Sequence, residues 1–291
     1  MRLPSFPRTL GRTRRLLGAL LTAHRLGRSG STVLVHSGEL VRDLPDWLAI
    51  RLHCGPRKGR FRLPDRLTVL LVHDRPEETV MERSLRYLGI EDFLVARPAA
   101  GTRWLNALKV ELGLEALRNH SRPTPYILYA DSDDCVLRDD LGRAIEILER
   151  SGHDVLFSDT TYRDPRGHTP EVHDWADASC PPGTGPSRYL CAGVSIGRWE
   201  AVVELLEAAR ACLAVPRGMS PFRVTSAGAG GEVIGEARFP YGRSSDQRVL
   251  RYLQPQFHPR IGVDFAGQLD YRRPPPKRQV DRSAHQRPAG A

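Results

Sequence analysis

The stretch Pro125-Tyr126-Ile127-Leu128-Tyr129-Ala130-Asp131-Ser132-Asp133-Asp134-Cys135-Val136-Leu137 decides how the rest of the chain is read. A short apolar and aromatic run opened by a proline predicts a fully buried strand of a parallel sheet. It ends in three carboxylates within four residues, at the C-terminal edge where open α/β sheets hold their ligands. Carboxylates this close repel one another, and a hard divalent cation relieves that repulsion. Asp131, Asp133 and Asp134 are therefore candidate ligands of Mn²⁺ or Mg²⁺ carrying a diphosphate. The plain alternative is a strand-to-loop turn with an aspartate capping the next helix, and this stretch alone does not separate the two.

Outward from that strand the pattern alternates regularly. Leu67–His73 reads as a buried strand, Glu77–Leu88 as an amphipathic helix closed by Gly89, and Asp92–Ala96 as a strand. Trp104–Leu117 reads as a long helix with Leu105, Leu108, Leu112 and Ala116 on one face, carrying Lys109. Beyond the acids come a helix over Leu141–Arg150, a strand over Asp154–Ser158 and a long polar loop over Asp159–Arg188. Tyr189–Arg198 is a strand interrupted by Gly193, and Trp199–Cys212 is a helix. Residues 214–243 read as a loop flexible enough to act as a lid, and Ser244 to Gln247 cap a helix over Arg248–Leu253.

Short connections of this kind predict right-handed crossovers and an α/β domain with a mostly parallel central sheet and helices on both faces. No GxGxxG follows a strand and no GxxxxGK[ST] occurs, so a nucleotide would be held by metal and side chains. The expected organisation is a basic N-terminal extension over 1–64 with a strand and helix of undecided place, a catalytic domain over 65–271, and a disordered basic, proline-rich tail over 272–291.

Composition bounds the partners. The 291 residues are 40% hydrophobic and 26% charged, enough for a real core. A formal charge of +9 rests on 43 basic against 34 acidic residues, almost all the basic ones arginine. An arginine bias of that kind is a weak sign of nucleic acid, and no specific nucleic-acid partner is expected. Five cysteines with no CxxC pair argue against a disulfide framework or a zinc site and suit a reducing cytoplasm. Residues 1–30 are arginine-rich and free of acid; their apolar patch at 16–21 is too short to span a bilayer, although Leu16, Leu20 and Leu21 leave peripheral membrane contact open.

Several separated pieces match one family in order. The chain resembles the GT-A glycosyltransferase domain of the procollagen-lysine glycosyltransferases and their bacterial relatives, over about residues 66–270. The pieces are Lys109 on the helix before the acidic strand, Asp131-Ser132-Asp133-Asp134, Tyr189-Leu190-Cys191-Ala192-Gly193 with Ile196-Gly197, Ser245-Asp246-Gln247, and loosely Asp264 with Gln268. Cys191 stands where the family has asparagine and Ser245 where it has aspartate; the family's metal-binding histidine has no match, with only His285 nearby in sequence.

The resemblance implies a metal-dependent transfer of a sugar from a nucleotide-diphosphate donor, UDP-linked, to a hydroxyl acceptor. On that reading Lys109, Asp131, Ser132 and Gly193 contact the donor, Asp131, Asp133 and Asp134 serve the metal, and Asp246 and Gln247 act at the sugar and acceptor hydroxyl. Trp175 and Trp199 are candidates for stacking on a sugar. Two other classes use the same residues: a nucleotidyltransferase releasing pyrophosphate, and a non-catalytic nucleotide or sugar binder with a degenerate site.

Overall fold

The structure is a computed structural model that describes residues 32–36, 45–162, 170–185, 187–214, 224–225, 233–235 and 245–272. The expected lid over most of 214–243, the basic segment 1–30, the tail beyond 272 and His285 lie outside the described residues.

The described residues form an α/β architecture around a mixed six-stranded sheet. Its strands are β2 (Leu67–Val72), β3 (Leu94–Ala96), β4 (Tyr126–Ala130), β6 (Val155–Thr160), β7 (Tyr189–Arg198) and β10 (Ile261–Val263), in the order β10-β6-β7-β4-β2-β3. Five run the same way, and β7 alone is antiparallel to both neighbours, β4 and β6. A second, three-stranded sheet joins β1 (Leu34–His36), β5 (Cys135–Leu137) and β11 (Asp270–Arg272), with β1 in the middle, and within the segment expected as a loop β8 (Val224–Thr225) pairs antiparallel with β9 (Val233–Gly235). The quoted stretch therefore serves two sheets. Tyr126–Ala130 lies in the main one, the acids make the turn, and Cys135–Leu137 crosses into the small one.

Strands β2 and β6 are buried along their length, and successive side chains take opposite faces, which divides the core in two. Val69 and Leu71 of β2 join one cluster with β4 Leu128 and β7 Ile196; Leu70 and Val72 face the other way with Ile127. The first face is covered by α1 (Asp46–Cys54), α2 (Val80–Leu88), α4 (Gly142–Ser151) and the small sheet. The second is covered by α3 (Leu108–Arg118), α6 (Trp199–Ala214) and α7 (Asp246–Phe257), with α5 (Pro170–Ser179) beside α7. Helix α2 starts where Thr79 and Glu82 form a capping box and ends at Gly89. Gly89 has φ 100°, and a β-carbon there would meet the Phe61 carbonyl oxygen at 3.0 Å, so glycine is required.

Four expectations are corrected. The helix expected from Trp104 begins at Leu108; it buries Val110, Gly113, Leu114 and Leu117, and Leu105 lies outside it, exposed. The helix expected from Glu77 begins at Val80, because Thr79 caps it. The segment expected as one loop over 159–188 contains helix α5, whose Pro, His and Asp content hides an apolar side made by Val172, Trp175 and Ala176. Helix α7 starts at Asp246, two residues early, and Ser245 at its N-cap makes no side-chain capping bond. The strand and helix before residue 64, left without a place, are β1 in the small sheet and α1 against α2. No helix among the described residues is long and apolar enough to cross a membrane.

Candidate functional site

At the C-terminal end of β4 the chain gathers residues that are far apart in sequence. Lys109, one residue into α3, places its ammonium 2.5 Å from Asp131 Oδ1 and 3.8 Å from Asp246 Oδ2. Tyr129 donates its hydroxyl to the same Asp131 oxygen at 3.3 Å. Asp246 enters because it opens α7, which packs against β7 and α6; its Oδ1 accepts the Gln247 amide at 2.8 Å. The Lys109 and Asp246 side chains are only 14% and 9% exposed, so one lysine between two carboxylates is held mostly out of water.

The electrostatics follow from that burial. Desolvation pulls the Lys109 ammonium toward its neutral form, but Tyr129, Asp131 and Asp246 outweigh it and raise its pKa well above the usual lysine value. The Asp246 carboxyl is pushed up by burial and by its like-charged neighbour Asp131, with Lys109 opposing. Burial likewise raises the Tyr129 phenol well above its ordinary value, so it remains a donor at neutral pH.

The other expected residues take different positions. Gly193 lies where β7 bulges, since the ladder to β6 jumps from Ser195 opposite Phe157 to Cys191 opposite Ser158. Its carbonyl accepts the Asp131 amide at 2.6 Å, so it shapes the turn rather than opening a gap. Ser132 is buried, its carbonyl accepting the Met81 amide at 3.1 Å. Asp134 is half-buried in the same turn. Gln247 stands in the first turn of α7, beside Asp246 through its backbone. Asp264 is buried and caps the turn to β11 by accepting the Leu269 amide, a structural use. Trp175 is buried edge-on to His258 and Trp199 stacks on His120, so the two indoles are packed.

Sequence reasoning missed three polar residues on the same edge. Arg75, just past β2, grips Asp133 with Nε at 3.0 Å and Nη2 at 2.7 Å from Oδ2. His73 Nδ1 accepts the Arg75 amide at 3.1 Å, which puts the ring proton on Nε2, 3.4 Å from buried Glu82. Burial lowers the His73 pKa, against the pull of Glu82. The available signal was position alone, because His73 and Arg75 directly follow a buried parallel strand.

As arranged, these side chains are not a preformed cation site. Among the described residues no three His, Cys, Asp or Glu side chains converge to hold a metal ion. Asp131 already faces Lys109, and Asp133 already faces Arg75. A scan against protein-family models gives no match to this chain, and a search of curated proteins finds no similar sequence.

Proposed function

We propose that the protein transfers a sugar from a nucleotide-diphosphate donor, UDP-linked, to a hydroxyl acceptor at the Lys109, Asp131 and Asp246 cluster. One observation carries this reading. Three residues from separate sequence pieces of a glycosyltransferase-like pattern, 137 positions apart at the extremes, meet within hydrogen-bonding and ion-pair distances at a sheet edge suited to ligands.

In this reading Asp246 takes the proton of the acceptor hydroxyl as the new bond to the sugar's anomeric carbon forms. Its raised pKa suits that role, because a carboxylate whose affinity for protons has been increased by burial is a stronger base. The bond between that carbon and the diphosphate breaks with its electron pair on the leaving oxygen. Lys109 supplies positive charge on that side, and its pairing with Asp131 and Tyr129 fixes where the ammonium stands. Binding of Mn²⁺ or Mg²⁺ would require Asp131 and Asp133 to exchange their present partners, Lys109 and Arg75.

The test is calorimetric titration of the full chain with UDP, GDP and ADP, with Mn²⁺ and then with chelator, followed by turnover of the donor that binds. Asp246→Asn should keep nucleotide affinity and lose about 10²–10⁴-fold in turnover, the usual worth of a positioned base. No binding of any diphosphate under either condition overturns the proposal. Loss of nucleotide binding in Asp246→Asn would move that residue out of the base role.

A further inference from the structure

A cavity of about 50 Å³ lies under the Lys109 and Asp246 cluster, between the second face of the sheet and helices α3, α6 and α7. Its walls are mostly apolar, with Leu70, Ile127, Phe157, Leu206 and Leu250 among them; the polar wall groups are Lys109, Tyr129, Ser195 and Asp246. Protein interiors are otherwise packed to crystal-like density, and an unfilled void costs stability in proportion to its volume. A void placed directly beneath a buried ionic cluster is therefore unlike an ordinary packing defect.

A second observation concerns Gly113. It sits mid-helix in α3 and lines the cavity. Glycine there weakens a helix by about 1 kcal/mol relative to alanine. Nothing local demands it: a β-carbon would come no closer than 3.6 Å to Leu70 and 3.8 Å to Leu206 and Val72, which is ordinary contact. What the missing side chain leaves is space. Ala192 and Ser195 on the facing strand β7 are also small and line the same space.

We propose that this cavity seats the apolar group of the acceptor, whose hydroxyl is held at Asp246. The acceptor is then a small alcohol whose alkyl part entering the cavity has about four carbon atoms, since one water-sized group needs about 10–15 Å³ of such volume. Water is a poor occupant, because the apolar walls offer it hydrogen bonds only at the polar end. This inference rests on the transferase reading for the role of Asp246, and on geometry alone for the apolar seat.

The experiment titrates linear primary alcohols, methanol to hexanol, into the full chain and follows the amide shifts of Gly113 and Ala192 by NMR, with UDP calorimetry on the same samples. Affinity should rise about fourfold per methylene, the worth of burying one CH₂, and stop rising near butanol. Gly113→Val should flatten that series and leave UDP affinity unchanged, while Gly113→Ala should melt no lower than wild type because the space accepts a methyl group. A flat series in the wild type, a series that climbs equally in Gly113→Val, or a lowered melting point in Gly113→Ala overturns the inference. If UDP binds and the alcohols do not, the cavity assignment alone falls. If the alcohols behave as expected and no diphosphate binds, the transferase reading falls and the apolar seat stands.

Discussion

The two faces of the central sheet are built to different ends. On the first face α1, α2 and α4 close over Leu71, Leu85, Leu128 and Leu148, all nearly inaccessible. Of the buried titratable groups there, His53 has no charge partner that would favour ionisation: burial, reinforced by Arg138, lowers its pKa to about 4, so it is neutral at pH 7. On the second face α3, α6 and α7 surround a cavity, and a lysine between two carboxylates is kept charged at its end. One face spends its interior on density. The other keeps space and charge, the two things that bind a ligand rather than stabilise a fold.

The largest effect that would sharpen this contrast is Lys109→Ala. It leaves buried Asp246 and half-buried Asp131 without their cation, and breaking a buried pair from one side costs about 3–5 kcal/mol. Leu85→Ala on the first face should cost a similar 2–5 kcal/mol by opening a cavity. Urea unfolding compares the two, and UDP calorimetry separates them: the Leu85 variant, if folded, binds as wild type, while the Lys109 variant does not. Equal UDP binding by both would mean that the charged face is structural too.

Next in size is an acid-side test of the closed face. His53 has its folded pKa depressed, to about 4 from 6.5, so the unfolded chain takes up the proton first as pH falls. Its contribution to stability is present above pH 6.5 and is lost progressively down to about pH 4, reaching about 3 kcal/mol. His53→Leu should remove that slope, and among the described residues its Nδ1 has no hydrogen-bond partner that the change would break. The check is urea unfolding of both proteins between pH 7 and pH 4. Parallel curves would show that His53 is hydrated and that the first face is less closed than described.

Much of this was legible in the sequence, and what was not has a physical cause. Fully buried strands announce themselves as apolar runs, so β2, β4 and β7 were readable to within a residue or so. Strand direction is not written in such a run, and the 28-residue connection after Thr160, with helix α5 within it, is long enough to return the chain either way, so the reversal of β7 was not readable. The division of the quoted stretch between two sheets was hidden for the same reason: Cys135–Leu137 is as apolar as Tyr126–Ala130, and only pairing with β1 sets it apart. Lys109, Asp131 and Asp246 could be singled out because each sits in a spaced motif. Arg75 could not, since its partner Asp133 is 58 residues away and no local pattern links them.

That rim pair gives the smallest expected effect, and it tests whether burial is what separates the two kinds of cation. Arg75 and Asp133 make a bidentate contact as well formed as the one at Lys109, but their side chains are 58% and 39% exposed. Exposed pairs contribute about 0–1 kcal/mol, because water and salt already serve both charges. Arg75→Gln should therefore leave the urea midpoint almost unchanged, in contrast to Lys109→Ala. It also frees Asp133 beside Asp131 and Asp134, so calorimetric affinity for Mn²⁺ should rise by about fivefold at most, the equivalent of the same 1 kcal/mol. A loss of several kcal/mol on removing Arg75 would place it with Lys109 as part of the fold's charged core, and the difference between buried site and solvated rim would no longer hold.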